Sequence, residues 1–165
     1  MSNKLWISAV LIITVLISGC IFDKEKVNPN STSEPIPQTG LPTGFTYMGI
    51  HETLVDIGGT SINATEGVYR YNNVDDVYIQ VIKNDNPEDL IAKYKSSYKD
   101  VKYNPFKEIS LNGHKATQVM DYSTINGKDT PNYAIIWATE KAMIIVSSPT
   151  SDNNTVVALA TATGS

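Results

Sequence analysis

Few residues in this chain have the chemistry to catalyse anything. The histidines are His51 and His114. A hydrolytic triad gathers a nucleophile, a histidine and an orienting acid in space. His114, Asp121 and one of the many serines would supply those types, but no Gly-x-Ser-x-Gly elbow is present, and His114 directly follows an Asn-Gly turn. It reads as a turn-flanking surface residue, and His51, beside Glu52, reads as a strand-end surface residue. A two-histidine metal site completed by Glu52 or Asp121 has no spacing to fix it. Asp75, Asp76, Asp85, Glu88 and Asp89 offer oxygens that a hard cation would accept. They lack EF-hand spacing, however, and Glu88 and Asp89 are accounted for as acids in the first turn of a helix. Gly58-Gly59 is an isolated pair, a loop bend rather than a phosphate cradle. No catalytic residue, metal ligand or cofactor is expected, and the chain is not expected to be an enzyme.

The aromatic and asparagine residues carry the remaining candidates. Tyr69, Tyr71 and Tyr78 fall on strands and form a candidate ligand face, since aromatics on a sheet can line a sugar or peptide site. The competing reading makes them the amphipathic rim of a core. Trp137, inside "AIIWA", reads as core. Asn30, Asn63 and Asn153 each head an Asn-x-Ser/Thr sequon and are candidate N-glycosylation sites in an exported protein, with Asn63 the best placed.

Charge excludes a further class. The 165 residues carry a formal net charge of -4, with a pI near 5.1. The lysines are dispersed rather than clustered, so no nucleic-acid partner is expected. The composition, 41% hydrophobic and 18% charged, suits one globular domain with its own core. The domain is expected to be monomeric.

The N-terminus specifies an address. "MSNK" is a short polar opening with one positive charge, and Leu5 to Ile17 form an apolar stretch of about thirteen residues, shorter than the roughly 20 a spanning helix needs. Ser18 and Gly19 then precede Cys20, the single cysteine of the chain. The segment Leu16-Ile17-Ser18-Gly19-Cys20 resembles the lipobox of prokaryotic lipoproteins. The resemblance implies lipidation of the Cys20 thiol, removal of residues 1–19, and a protein held on the outer face of the cytoplasmic membrane or at the cell surface. One acyl chain binds a membrane only marginally, so a firm anchor takes two or more. The competing readings are an uncleaved transmembrane anchor, if Ile21 and Phe22 extend the apolar run, and an ordinary signal peptide.

Residues 23 to 42 hold four prolines, several Ser, Thr and Asn, and few apolar residues. Such a stretch cannot bury enough surface to offset its ordering entropy. Residues 20–43 are therefore expected to be a flexible tether, on the order of 50 Å long at about 3 Å per residue. The folded domain is expected over 44–165.

Within it, "GFTYMGIHE" (44 to 52), "GVYRYNN" (67 to 73) and "DVYIQVIK" (76 to 83) read as strands. The segment between Thr53 and Glu66 has no clear element. "NDNPEDLIAKYKSSYKD" is the one strong helix, with Asn86 as N-cap, Pro87 at its first position, and Leu90, Ile91, Tyr94 and Tyr98 on one face. Turns at Asn112-Gly113, Asn126-Gly127 and Glu140-Lys141 divide residues 109 to 148 into a four-strand antiparallel meander. Asp152 or Asn153 would cap a short final helix that packs through Val156, Val157, Leu159 and Ala160. The expected order, β-β-β-α-β-β-β-β-α, is an α+β fold: an antiparallel sheet of about six to seven strands against one long helix and a short C-terminal one.

"EISLNGHKA", then "NGKDTPNYAIIWATEKAMIIVSS", then a closing helix look like the PsbP and Mog1-like fold group over about residues 45 to 164. The resemblance rests on the Asn112-Gly113 turn, the Trp137 strand and the closing strand-helix unit. It implies a non-catalytic accessory or binding protein and carries over no catalytic motif. Fold alone does not fix function. The leading expectation is a membrane-tethered module that binds a partner protein or envelope component. The alternatives are a small-molecule or metal-ion binder serving a membrane transporter or complex, and an envelope hydrolase.

Overall fold

The runs Ala134–Ala138 and Ala142–Val146 are apolar at nearly every position, without the alternation of a half-exposed strand. That pattern belongs to strands covered on both faces. The computed structural model of the chain, which describes residues 35–150 and 152–164, places them at the centre of the sheet. Cys20, Asn30, the signal segment and most of the expected tether lie outside the described residues.

The elements follow the expected order: β1 (Phe45–Asp56), β2 (Ser61–Tyr71), β3 (Asp75–Lys83), α1 (Pro87–Ser96), β4 (Phe106–Leu111), β5 (His114–Ile125), β6 (Lys128–Ala138), β7 (Ala142–Ser148) and α2 (Asn153–Ala162). Among the described residues the strands form one 7-stranded sheet in the order β1-β2-β3-β7-β6-β5-β4. All six pairings are antiparallel. The last strand to form in sequence, β7, thus joins the β1–β3 hairpins to the β4–β6 meander. The fold is α+β with helices on both sides of the sheet.

Side-chain alternation sorts the two cores. One face gathers Tyr69, Val77, Ile79, Ile135, Trp137, Ile144 and Val146 against Val156, Leu159 and Ala160 of α2. The other gathers Ile82, Val119, Ala134, Ile136, Met143 and Ile145 against Leu90 and Ile91 of α1. Met143 on the α1 side and Ile144 and Val146 on the α2 side are all completely buried, because both faces of β7 are covered by a helix.

The local signals explain the turns. Asn112-Gly113 and Asn126-Gly127 all have positive φ, as the tight hairpins between β4, β5 and β6 require. Asp152 caps α2, its carboxylate accepting from the Thr155 N–H at 2.9 Å. At α1, Asn86 occupies the N-cap position without a side-chain capping bond, and Pro87 takes the first helical position.

Two expectations are corrected. The helix read as long spans only 10 residues, as does α2. The hydroxyls of Ser96 and Ser97 bond back to the carbonyls of Lys93 and Tyr94, both at 2.6 Å, and tighter turns follow through Val101. The segment 53–66, read as lacking an element, belongs to a long hairpin. β1 continues to Asp56 and β2 begins at Ser61, with a turn closed by the Ile57 N–H on Thr60 O at 2.9 Å. Gly58 and Gly59 both have positive φ there, which agrees with their reading as a bend.

Packing begins before Gly44. Ile36 is 6% exposed in the α2-side core, and the Tyr69 hydroxyl donates to the Pro37 carbonyl at 2.9 Å. Residues 35–43 therefore cover β2 on the face where α2 covers β6 and β7.

Candidate functional site

The helices lie over β6 and β7. On the α1 side, the part of β1–β3 next to the β2–β3 turn is left without a helix above it. Here the strands place polar side chains in transverse rows. His51 pairs with Glu66, and Glu66 with Gln80. Antiparallel partners share a face, so these three side chains converge.

Glu66 is the centre of the site. It is only 8% exposed, and its carboxylate accepts from Gln80 Nε2 at 2.6 Å and lies 3.2 Å from His51 Nε2. Buried carboxylates require such partners. The next rows add Val68 opposite Tyr78 and Arg70 opposite Asp76. Arg70 Nε donates to Asp76 at 2.7 Å, a bond that raises the Arg70 pKa further. Burial, then the charges of Asp76 and Glu66, push the Tyr78 phenol above its usual value. The surface thus presents an amide, a phenol, an imidazole and the Arg70–Asp76 ion pair around the buried Glu66 carboxylate. It can hydrogen-bond a polar partner from many directions, and it holds no nucleophile activated by a base.

The three candidate tyrosines do not share a face. Tyr69 is fully buried on the α2 side, where burial and then Tyr47 raise its pKa. Tyr71 lies on that same side, packed on Phe45 with ring centroids 4.8 Å apart. Tyr78, paired with Val68, points to the opposite side and alone joins the polar site. Trp137 is 1% exposed, in the core.

The other candidates disperse. His114 is exposed at the first position of β5, beside its turn. His51 lies within β1 rather than at a strand end. Asp121 accepts from Tyr103 at 2.7 Å. Asp76 is held by Arg70 and Asp85 pairs with Lys141 at 3.1 Å. Among the described residues no group of three or more His, Cys, Asp or Glu is arranged to hold a metal ion. Asn63 is exposed near the tip of the β1–β2 hairpin. Asn153 starts α2 with its side-chain oxygen buried, and its sequon threonine, Thr155, is 7% exposed.

A second polar cluster sits in a small open cleft beneath α1. Glu108 accepts from Lys95 at 3.0 Å and Thr117 at 3.1 Å, and pairs with Lys115 at 3.3 Å. Two ammonium groups thus flank one carboxylate, and the hydrogen bond from Lys95 leads the causes that hold the Glu108 carboxyl below its ordinary value. The cluster pins α1 to β4 and β5.

Sequence reasoning missed the His51–Glu66–Gln80 row. Its residues are far apart in the chain, and Glu66 sat at the end of a segment read as having no element. The available signal was Gln80, a polar residue on the outward side of an apolar strand.

Compared with known proteins, the chain matches no family model, no curated protein and no solved structure.

Proposed function

We propose that the chain is a membrane-tethered extracytoplasmic lipoprotein whose α+β domain, PsbP/Mog1-like in fold, is a non-catalytic binding module of the cell envelope. The lipobox-like segment ending at Cys20 supports the tether. The order of three strands, helix, four strands and helix supports the fold assignment. The observation that carries the binding role is the uncovered polar face of β1–β3, centred on the Glu66 carboxylate with Gln80 and His51 against it. A face serving only packing would be apolar and covered.

Two experiments test this reading. Intact-mass spectrometry on protein extracted from its native membrane should give a species that begins at Cys20 and carries lipid mass, lost in Cys20→Ser. The mass of the uncleaved, unlipidated chain would sink the lipoprotein assignment. For the face, a photo-crosslinking amino acid is placed at Thr46, which pairs with Arg70 beside the site. In native membranes it should yield a discrete adduct that the same group at Lys107, on the far edge, does not. Adducts from Lys107 alone would move the binding role off this face.

A further inference from the structure

β1 is an edge strand. Among the described residues it pairs only with β2, so its outer backbone groups have no strand partner. Exposed long edges template pairing with another chain, and proteins normally blunt them with lysine, proline, bulges or brevity. The opposite edge, β4, is blunted: it spans 6 residues and carries Lys107 and Glu108. β1 spans 12 residues, and its one irregularity lies between Tyr47 and Gly49. From Ile50 to Asp56 it is regular and contains neither lysine nor proline.

The side chains on this stretch form a pattern. Ile50, Glu52, Leu54 and Asp56 pair with Gly67, Thr65, Asn63 and Ser61, and so point to one face. Ile50 is 44% and Leu54 65% exposed, and Glu52 and Asp56 are exposed as well. The row alternates apolar, acidic, apolar, acidic along an open edge.

We propose that the outer edge of β1 is a docking site for an extended partner segment that adds a strand to the sheet and presents, at every second residue on that face, apolar and basic side chains in turn. Backbone hydrogen bonds would supply affinity and the side-chain row specificity. Directly opposite cross-strand pairs interact most strongly, with opposite charges favourable and like charges unfavourable. A basic residue therefore belongs opposite Glu52 and another opposite Asp56, with apolar residues opposite Ile50 and Leu54. A second copy of this chain fits poorly. In a two-fold antiparallel pairing centred on this stretch, residues of the Ile50–Asp56 row face one another, so each acid meets an acid or an apolar residue. The inference rests on the binding-module reading but uses the edge rather than the polar face, so the two fail separately.

The test uses the full chain in non-ionic detergent micelles and a synthetic peptide of two Val-Thr-Lys-Thr repeats. A control peptide of the same composition has its lysines adjacent and its valines adjacent. The repeat peptide should bind and protect from hydrogen exchange the outward-pointing amides of Ile50–Asp56, those not already bonded to β2. The control, whose adjacent lysines point to opposite faces, should bind about tenfold more weakly, as the loss of one charged and one apolar cross-strand pair implies. Glu52→Lys should weaken the repeat peptide by a similar factor, and Glu52→Lys combined with Asp56→Lys should favour a Val-Thr-Glu-Thr repeat. Leu54→Lys, at an exposed site, should weaken both. Equal binding of the repeat and control peptides, or protection outside β1, would overturn the proposal. Protection of the outward-pointing amides in the free monomer would overturn it in favour of a segment of this chain covering the edge. Concentration-dependent dimerisation abolished by Leu54→Lys would overturn it in favour of a second copy. Loss of the Thr46 adduct in membranes, with peptide binding intact, would remove the polar-face reading and leave this one standing.

Discussion

Gly67 on β2 faces the α2-side core, directly under Ile36. A β-carbon placed there would lie 2.6 Å from Ile36 Cγ2, with the Tyr69 ring at 3.2 Å and its hydroxyl at 3.3 Å. Gly67 has no positive φ, so Gly67→Ala tests sterics rather than backbone conformation. The contacted methyl is on the β-branch of isoleucine, which has little rotamer freedom, and the sheet beneath cannot recede. The segment carrying Ile36 must lift. Lifting exposes a side chain whose burial contributes about 1.5–3 kcal/mol and breaks the Tyr69–Pro37 hydrogen bond, about 1 kcal/mol net. Alanine in a strand returns about 0.5 kcal/mol relative to glycine. The expected net loss is about 2–3.5 kcal/mol, at the upper end of the usual range for overpacking.

Ile36→Ala removes the obstructing methyl and should cost about 2 kcal/mol through lost burial. In the double variant the added methyl has room, so its own cost should vanish, leaving a coupling of about 2–3.5 kcal/mol between the two sites. Urea denaturation followed by far-ultraviolet circular dichroism measures all four corners of this cycle. Additivity within about 0.5 kcal/mol would refute the account and mean that residues 35–43 do not bear on Gly67. Limited proteolysis between Ile36 and Thr43 should accelerate in both single variants.

Further outcomes follow from the caps and the titrating groups. Asp152→Ala removes the acceptor for the Thr155 N–H and should cost about 1 kcal/mol, read by thermal denaturation. The Glu108 carboxyl is held below its ordinary 4.5, first by the Lys95 hydrogen bond. A depressed acid adds stability that is complete above its unfolded pKa and is lost as pH falls through the folded one. Between pH 5 and 3, therefore, Glu108→Gln should lose melting temperature less steeply than the parent, and an equal slope would sink the assignment. The bond to Asp121 raises the Tyr103 phenol from 10.0 to about 12. Its contribution is intact below pH 10 and lost as pH rises from 10 to 12, so Tyr103→Phe should flatten part of the alkaline fall in the urea midpoint.

The elements most legible in the sequence were those specified within a few residues. Asn-Gly turns, the Asp152 cap and the doubly apolar runs of β6 and β7 depend on local chemistry, and the structure places them where that chemistry points. The outer half of the β1–β2 hairpin was not legible. It extends beyond its pairing with β3, which begins at Thr65, so many of its residues are exposed and the period-two signal fades. The irregularity between Tyr47 and Gly49 further shifts the alternation within β1. The helix end was missed for a different reason. Serine back-bonding at Ser96 and Ser97 competes with helix propagation, while the tyrosine spacing continues the helical period to Tyr98.

The candidate site was illegible because it depends on register. Tyr69 and Tyr71 share a face by simple alternation, but the side taken by Tyr78 is set by the β2–β3 turn at Asn72 and Asn73, both with positive φ. One residue more or less in that turn would bring Tyr78 to the face of Tyr69 and send Ile79 outward. The same register aligns His51, Glu66 and Gln80 from three strands into one row. Insertion of β7 beside β3 then decides what remains open. It draws the apolar contacts of both helices over β6 and β7, so β2 is covered on one side by residues 35–43, and on the other β1 and β2 bear polar side chains from Glu66 toward the β2–β3 turn, while Val55, Ile62 and Ala64 join the core under α1. The rigid half of the sheet, held between two helices, fixes the geometry of the half that can meet a partner. A mutation that shifted β3 against β2 by one residue would break the Glu66–Gln80 contact and turn Ile82 out of the core beneath α1, which is why the two should be lost together in any such register variant.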